Sequence, residues 1–259
     1  MSDICKKEQE NLITKLIAHN LPLYKEDFPL IFFWSPKSGC TSLIKWFFFQ
    51  VGLLQKAIDY NPWVHFYRME VYENSDNHRI QIHNELLNKK KDTYKLVRNP
   101  YKRTVSSFLA TLGNESIMNQ VAPNKKDGFS FKDFLYHVKD IGVSKELIDN
   151  HIAQQYIEKE EVLIKNYIKL ENFGDEIKNI ENKYKLVNSS IQGMTKSPHH
   201  VSHRMTNKGA FADVKMTKDV FDSPMPTYES FYDNETRELV KELFKRDFEK
   251  YGYNKENLS

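Results

Sequence analysis

The sequence predicts an α/β protein: a central parallel sheet flanked by helices. Three observations carry that expectation. Leu30-Ile31-Phe32-Phe33-Trp34 is a continuous apolar run between Pro29 and Ser35-Pro36, the pattern of a strand buried on both faces. Tyr94-Lys95-Leu96-Val97 reads as a second short strand, ending on Arg98-Asn99-Pro100, where Asn99 can cap a helix and Pro100 takes its first position. Each strand is followed by a tight loop and then a helical pattern, the alternation that builds parallel sheets.

The other elements follow in order. The N-terminal segment is amphipathic and helical at least in its first part, and Asp27-Phe28-Pro29 closes it. Residues 41 to about 54 read as a helix, with Leu43, Ile44, Phe47, Phe48 and Val51 on its apolar side. A further helix is expected over 79–89, and Tyr101 continues as helix to about Leu112. From Phe129 onward the pattern is mostly helical, with a short strand expected within Val162–Ile168. Ser189 to Thr227 collects most of the late turn residues and reads as a long loop. Residues 234–251 form a terminal amphipathic helix. No linker forces a division, so residues 1–259 read as one domain.

Composition narrows the function classes. With 259 residues, 40% hydrophobic and 28% charged, the chain is an ordinary soluble globular protein, not a disordered, collagenous or disulfide-scaffold one. A net charge of +3, from 38 basic and 35 acidic residues, favours a local anion site over a long polyanion groove, so no nucleic-acid partner is expected. Only seven of the basic residues are Arg, which makes each a candidate for bidentate anion recognition. Cys5 and Cys40 suit neither a structural disulfide nor a zinc spacing, and no metal is expected. The longest apolar stretches, 30–34 and 43–54, fall short of the ~18–20 residues of a membrane span. The N-terminus has no apolar signal core, so a cytoplasmic location is expected.

Two loops carry chemistry. In Pro36-Lys37-Ser38-Gly39-Cys40-Thr41-Ser42 a buried strand feeds a short loop that opens a helix, so successive backbone N–H groups form an anion cradle, with Lys37 adding charge and Thr41 and Ser42 adding hydroxyls. It is not a Walker A loop, because Lys37 precedes its only Gly. The second loop places Arg98 at a strand's carboxyl end, where ligands bind in open α/β sheets. Ser106 lies about two helical turns on and can share one anion with Arg98.

Together these loops resemble the donor site of the sulfotransferase family. Lys37, Ser38, Gly39, Cys40, Thr41 and Ser42 resemble the loop that holds the 5′-phosphosulfate, and Arg98 with Ser106 resembles the 3′-phosphate site, at the family's spacing of eight. His151-Ile152-Ala153-Gln154-Gln155 looks like the H-x-x-P-Q element of Golgi-type carbohydrate sulfotransferases, with Gln154 in place of Pro. Ile168-Lys169-Leu170-Glu171-Asn172-Phe173 and Phe244-Lys245-Arg246-Asp247-Phe248-Glu249-Lys250-Tyr251-Gly252-Tyr253 resemble two later family elements. The resemblance spans about residues 28–253. It implies a P-loop, nucleotide-kinase-like sulfotransferase fold, with 3′-phosphoadenosine 5′-phosphosulfate (PAPS) as donor and adenosine 3′,5′-bisphosphate (PAP) as product. It implies no metal, and a hydroxyl of a carbohydrate or small molecule as acceptor. Arg204, Lys208 and Gly209 resemble the late basic loop that closes on the 3′-phosphate and adenine.

An attacking hydroxyl must lose a proton, so a His or Glu base is needed. In several members a His about twenty residues before the 3′-phosphate Arg serves. His78 stands at that spacing and is favoured; His83 is fifteen before, His65 is further back, and Glu70 and Glu73 lie nearby. His199-His200-x-x-His203 lacks an acidic or Cys partner and is not read as a metal site. The rival readings are a P-loop phosphotransferase, which would need magnesium and a Walker-type Lys, and a non-catalytic nucleotide-binding module.

Overall fold

The computed structural model describes residues 3–123, 127–190, 193–194, 202–222 and 224–258. In chain order the main elements are α1 (Asp3–Ala18), β1 (Leu30–Trp34), α2 (Cys40–Gln50), α3 (Leu54–Tyr60) and α4 (His65–Tyr67), which continues as a π-helix over Arg68–Tyr72. Then come α5 (His78–Asn88), β2 (Asp92–Val97), α6 (Pro100–Leu112), α7 (Glu115–Val121), α8 (Phe131–Ile141), β3 (Asn166–Lys169) and α9 (Phe173–Tyr184). The chain ends with β4 (Met205–Asn207), β5 (Met225–Pro226), α10 (Asn234–Leu243) and α11 (Lys245–Tyr251). They form two compact units, one from Met1–Val97 with Ile157–Ser197 and the other from Arg98–Tyr156 with Pro198–Ser259.

The first unit holds the parallel sheet, in the order β1-β2-β3. Leu30 pairs with Asp92 and Trp34 with Leu96, while Leu96 pairs onward with Ile168. All five β1 residues are buried, as a strand covered on both faces requires. Successive side chains alternate: Leu30, Phe32 and Trp34 pack with Phe47 of α2 and Ile177 of α9, while Ile31 and Phe33 pack with Ile13 of α1 and Ile82 of α5. Within β2, Lys95 is buried and its ammonium pairs with the Glu160 carboxylate at 2.5 Å.

The second unit is mainly helical and has its own core. Phe108 of α6 packs against Phe129, Phe131, Phe134 and Phe231. Asn99 caps α6 as expected, its side-chain oxygen accepting from the N–H groups of Tyr101 and Lys102, with Pro100 at the first position.

Several boundaries differ from the sequence reading. The helix expected to run to about residue 54 ends at Gln50, because Gly52 turns the chain at φ 72° before α3 begins. The terminal helix divides at Phe244 into α10 and α11. Glu160–Val162 is a 3₁₀ turn, and the strand begins at Asn166. The segment read as a long loop contains the parallel pair β4–β5, whose three- and two-residue strands are too short to show an alternating pattern.

Candidate functional site

The loop after β1 is held by its own side chains. Ser35 and Ser38 are buried, and both the N–H and the hydroxyl of Ser38 donate to the Ser35 carbonyl, at 3.2 and 2.6 Å. That closure puts Lys37 at φ 67°, in the left-handed region that costs a non-Gly residue roughly 1–2 kcal/mol. Gly39 follows at φ 91°, and a Cβ there would lie 2.4 Å from Cδ1 of Leu170, the residue after β3. Cys40 then opens α2; the Ser42 N–H donates to the Gly39 carbonyl at 3.0 Å, while the N–H groups of Cys40 and Thr41 before it have no carbonyl of the helix to reach. A loop of this shape running into a helix N-terminus at the carboxyl end of β1 has the geometry to cradle an anion. Ser38 and Ser42 are buried in this frame, whereas Lys37, Gly39, Cys40 and Thr41 are half-exposed.

A group the sequence reading placed only in the background stands beside the cradle. His65 Nε2 lies 3.1 Å from Thr41 Oγ1 and 3.7 Å from Cys40 Sγ. The imidazole is buried between Trp34, edge-on at 6.1 Å, and Trp63 at 5.1 Å. Three residues on, the buried Arg68 guanidinium lies over the Trp34 ring at 4.9 Å and is ion-paired with Glu73. Its Nε–H and the Trp34 indole N–H are both buried without an acceptor. Burial pushes the Cys40 thiol up, and the charges of Lys37 and Arg68 act against it, so both cations bear on the start of α2. Burial likewise raises the Glu73 carboxyl, against the pull of Arg68.

His78 has different surroundings. Its ring packs on Tyr24 at 6.1 Å and Tyr72 at 5.2 Å, burial lowers its pKa, and its Nε2 is buried without a partner. Tyr72 in turn packs on Phe47 and Phe48, about 10 Å along α2 from its first residue. His83 is half-buried further along α5. At the start of α2 the structure places His65.

In the second unit Arg98 is held on both its backbone and its guanidinium. The Arg98 N–H donates to Gln155 Oε1 and the Arg98 carbonyl accepts from Gln155 Nε2, both at 2.9 Å. Gln155 is fully buried and held by Asp247, whose carboxylate accepts from the N–H groups of Gln155 at 2.9 Å and Tyr156 at 2.7 Å. Two motifs that resemble family elements in the sequence, at 151–155 and 244–253, thus converge on the backbone of Arg98. The guanidinium donates to the Tyr228 hydroxyl at 2.8 Å, which holds the fork in place. Ser106 is half-exposed on α6, one turn after the half-exposed Lys102, while Ser107 beside it is buried and donates to the carbonyls of Arg103 and His151. Arg103, whose pKa burial lowers to about 10, binds the carbonyls of Asn150 and Ile152. His151 Nδ1 is bonded to Asp149 at 2.7 Å, and this contact lowers the Asp149 pKa.

Of the late residues, Arg204 is half-buried and donates to the Phe221 carbonyl, Lys208 is exposed, and the Gly209 N–H donates to Ser230 Oγ at 3.2 Å. His203 is exposed, and His199 and His200 lie outside the described residues. Among the described residues no helix is long and apolar enough to cross a membrane, and no group of three or more His, Cys, Asp or Glu residues could hold a metal.

Compared with known proteins, residues 23–254 match the family described as the sulfotransferase family. No curated protein and no solved structure matches the chain.

Proposed function

The chain belongs to the sulfotransferase family and is a transferase. On that premise we propose that it moves a sulfuryl group from PAPS to a hydroxyl of a carbohydrate-like acceptor, releasing PAP. The observation that carries the reading is the loop at 36–42, with a left-handed Lys37 and Gly39 directly before the first turn of α2. That cradle suits the 5′-phosphosulfate: the N–H groups of Gly39, Cys40 and Thr41 and the Thr41 hydroxyl face its oxygens. Sulfuryl transfer, like phosphoryl transfer, passes through a loose transition state in which positioning and charge do most of the work. Lys37 follows the charge that develops on the bridging oxygen as the bond to sulfur breaks.

In the same reading Arg98 and Ser106 take the 3′-phosphate, and Arg204, Lys208 and Gly209 belong to the segment that covers the nucleotide. The Gln155 clamp on the Arg98 backbone and the Tyr228 hydroxyl preset the guanidinium, so little side-chain freedom is lost on binding. Calorimetry with PAP and with adenosine 5′-phosphate tests the assignment. Arg98→Ala should weaken PAP binding by about 30–150-fold, the worth of a charge-assisted contact, and leave the monophosphate nearly unchanged. Equal weakening of both ligands would remove Arg98 from the 3′-phosphate, and a wild-type protein that binds neither would end the reading.

A further inference from the structure

The sulfuryl-transfer reading needs a group to take the acceptor's proton, and the structure offers one at the cradle itself. We infer that His65 is the general base of the reaction, masked at rest by the Thr41 hydroxyl, and that Trp63 is the wall against which the acceptor ring lies. This inference rests on the function proposed above.

Four observations converge on it. His65 is the imidazole in contact with the first turn of α2, 3.1 Å from a hydroxyl on the very turn that binds the donor. Its ring is fixed by Trp34 on one side and Trp63 on the other, so Nε2 is held in one direction. Trp63 is half-exposed and makes an edge contact with Phe66 at 4.9 Å, an aromatic surface suited to the apolar face of a sugar ring. Finally, α4 runs directly into the π-helix Arg68–Tyr72, a rare element that recurs at functional sites. Here it carries Arg68 back over Trp34, the ring that the imidazole meets edge-on.

The contact with Thr41 also orders the events. At rest Nε2 carries its lone pair and the Thr41 O–H donates to it. Binding of the donor turns that O–H toward a phosphate oxygen and leaves Nε2 open to the acceptor. As the acceptor oxygen forms its bond to sulfur, its proton passes to Nε2. The bond between sulfur and the bridging oxygen breaks, its electron pair stays on that oxygen, and PAP departs. His65 then returns the proton to solvent, and Thr41 closes over it again.

The test compares His65→Gln, His65→Ala and His78→Ala in the full chain, with [³⁵S]PAPS as donor and octyl β-glucoside, β-galactoside and β-N-acetylglucosaminide as acceptors. PAP release is the readout, because it reports transfer to any acceptor, water included. His65→Gln keeps a polar atom for Thr41 but cannot hold a proton. It should bind PAP within about two-fold of wild type and lose about 10²–10⁴-fold in kcat, the usual share of a general base. His65→Ala should regain part of that rate with added imidazole, a rescue that a purely structural role would not give, and His78→Ala should keep its rate. If wild type turns over while His65→Gln stays within three-fold of it, or if His78→Ala alone shows the loss, the inference is overturned. If wild type neither binds PAP nor consumes PAPS, the proposed function falls, and this inference falls with it.

Discussion

The clamp on Arg98 can be tested apart from any chemistry. Gln155→Met keeps the length and nearly the volume of a fully buried side chain but removes both of its bonds to Arg98, 2.9 Å each, and its contact with Asp247. A neutral hydrogen bond contributes about 1 kcal/mol net, and leaving its buried partner unsatisfied raises the cost to about 1–3 kcal/mol. Two such losses make about 2–6 kcal/mol, and no cavity is created to add to them. For a chain of this size that corresponds to a Tm lower by roughly 4–24 °C. Once the Arg98 backbone is free to shift, PAP affinity should fall at a temperature where the variant is still folded, while adenosine 5′-phosphate affinity holds. Differential scanning calorimetry and titration calorimetry give the two numbers. A variant that melts with wild type and binds PAP equally well would refute the argument, because then the clamp fixes nothing that PAP binding uses.

Three further outcomes follow from other contacts. Gly39→Ala should lose stability and donor affinity; adding Leu170→Ala should relieve the collision but leave the backbone strain of about 1–2 kcal/mol, measured by urea midpoints. Lys95→Met should destabilise by about 3–5 kcal/mol by stranding the buried Glu160 carboxylate, and Lys95→Met/Glu160→Gln should recover most of it in the same assay. The Asp149 pKa is lowered by His151, so its contribution is complete above the unfolded carboxyl value of about 3.9 and is lost as pH falls through the folded value. Wild type should therefore be more stable than Asp149→Asn near pH 6, the gap closing toward pH 3; a constant gap would disprove the linkage.

What the sequence disclosed was local. The apolar run at 30–34, the Asn99-Pro100 cap and the single-Gly loop each hold their meaning within a few residues, so strand, helix start and strand-to-helix loop were legible directly. What it withheld depends on contacts between distant positions. Gln155 meets Arg98 across 57 residues and Asp247 meets Gln155 across 92, and no periodicity encodes either. His65 meets Thr41 across 24 residues through a turn that ends in a π-helix, which a 3.6-residue pattern cannot register. Counting back from Arg98 singles out His78, whose ring packs on Tyr24 and Tyr72. The clue within reach was the density of Trp63, His65 and Arg68 in six residues.

The carboxylate of Asp247 receives two consecutive main-chain N–H groups, those of Gln155 and Tyr156, and Gln155 in turn closes on the N–H of Arg98. The three amides are thus linked in series: Asp247 holds those of Gln155 and Tyr156, and the side chain of Gln155 holds that of Arg98. In hydrogen exchange they should appear as a single cooperative set with a common free energy of opening, although they lie far apart along the chain. The last helix is thereby coupled to the backbone of Arg98, and loosening it at its far end should register in the exchange of the Arg98 amide.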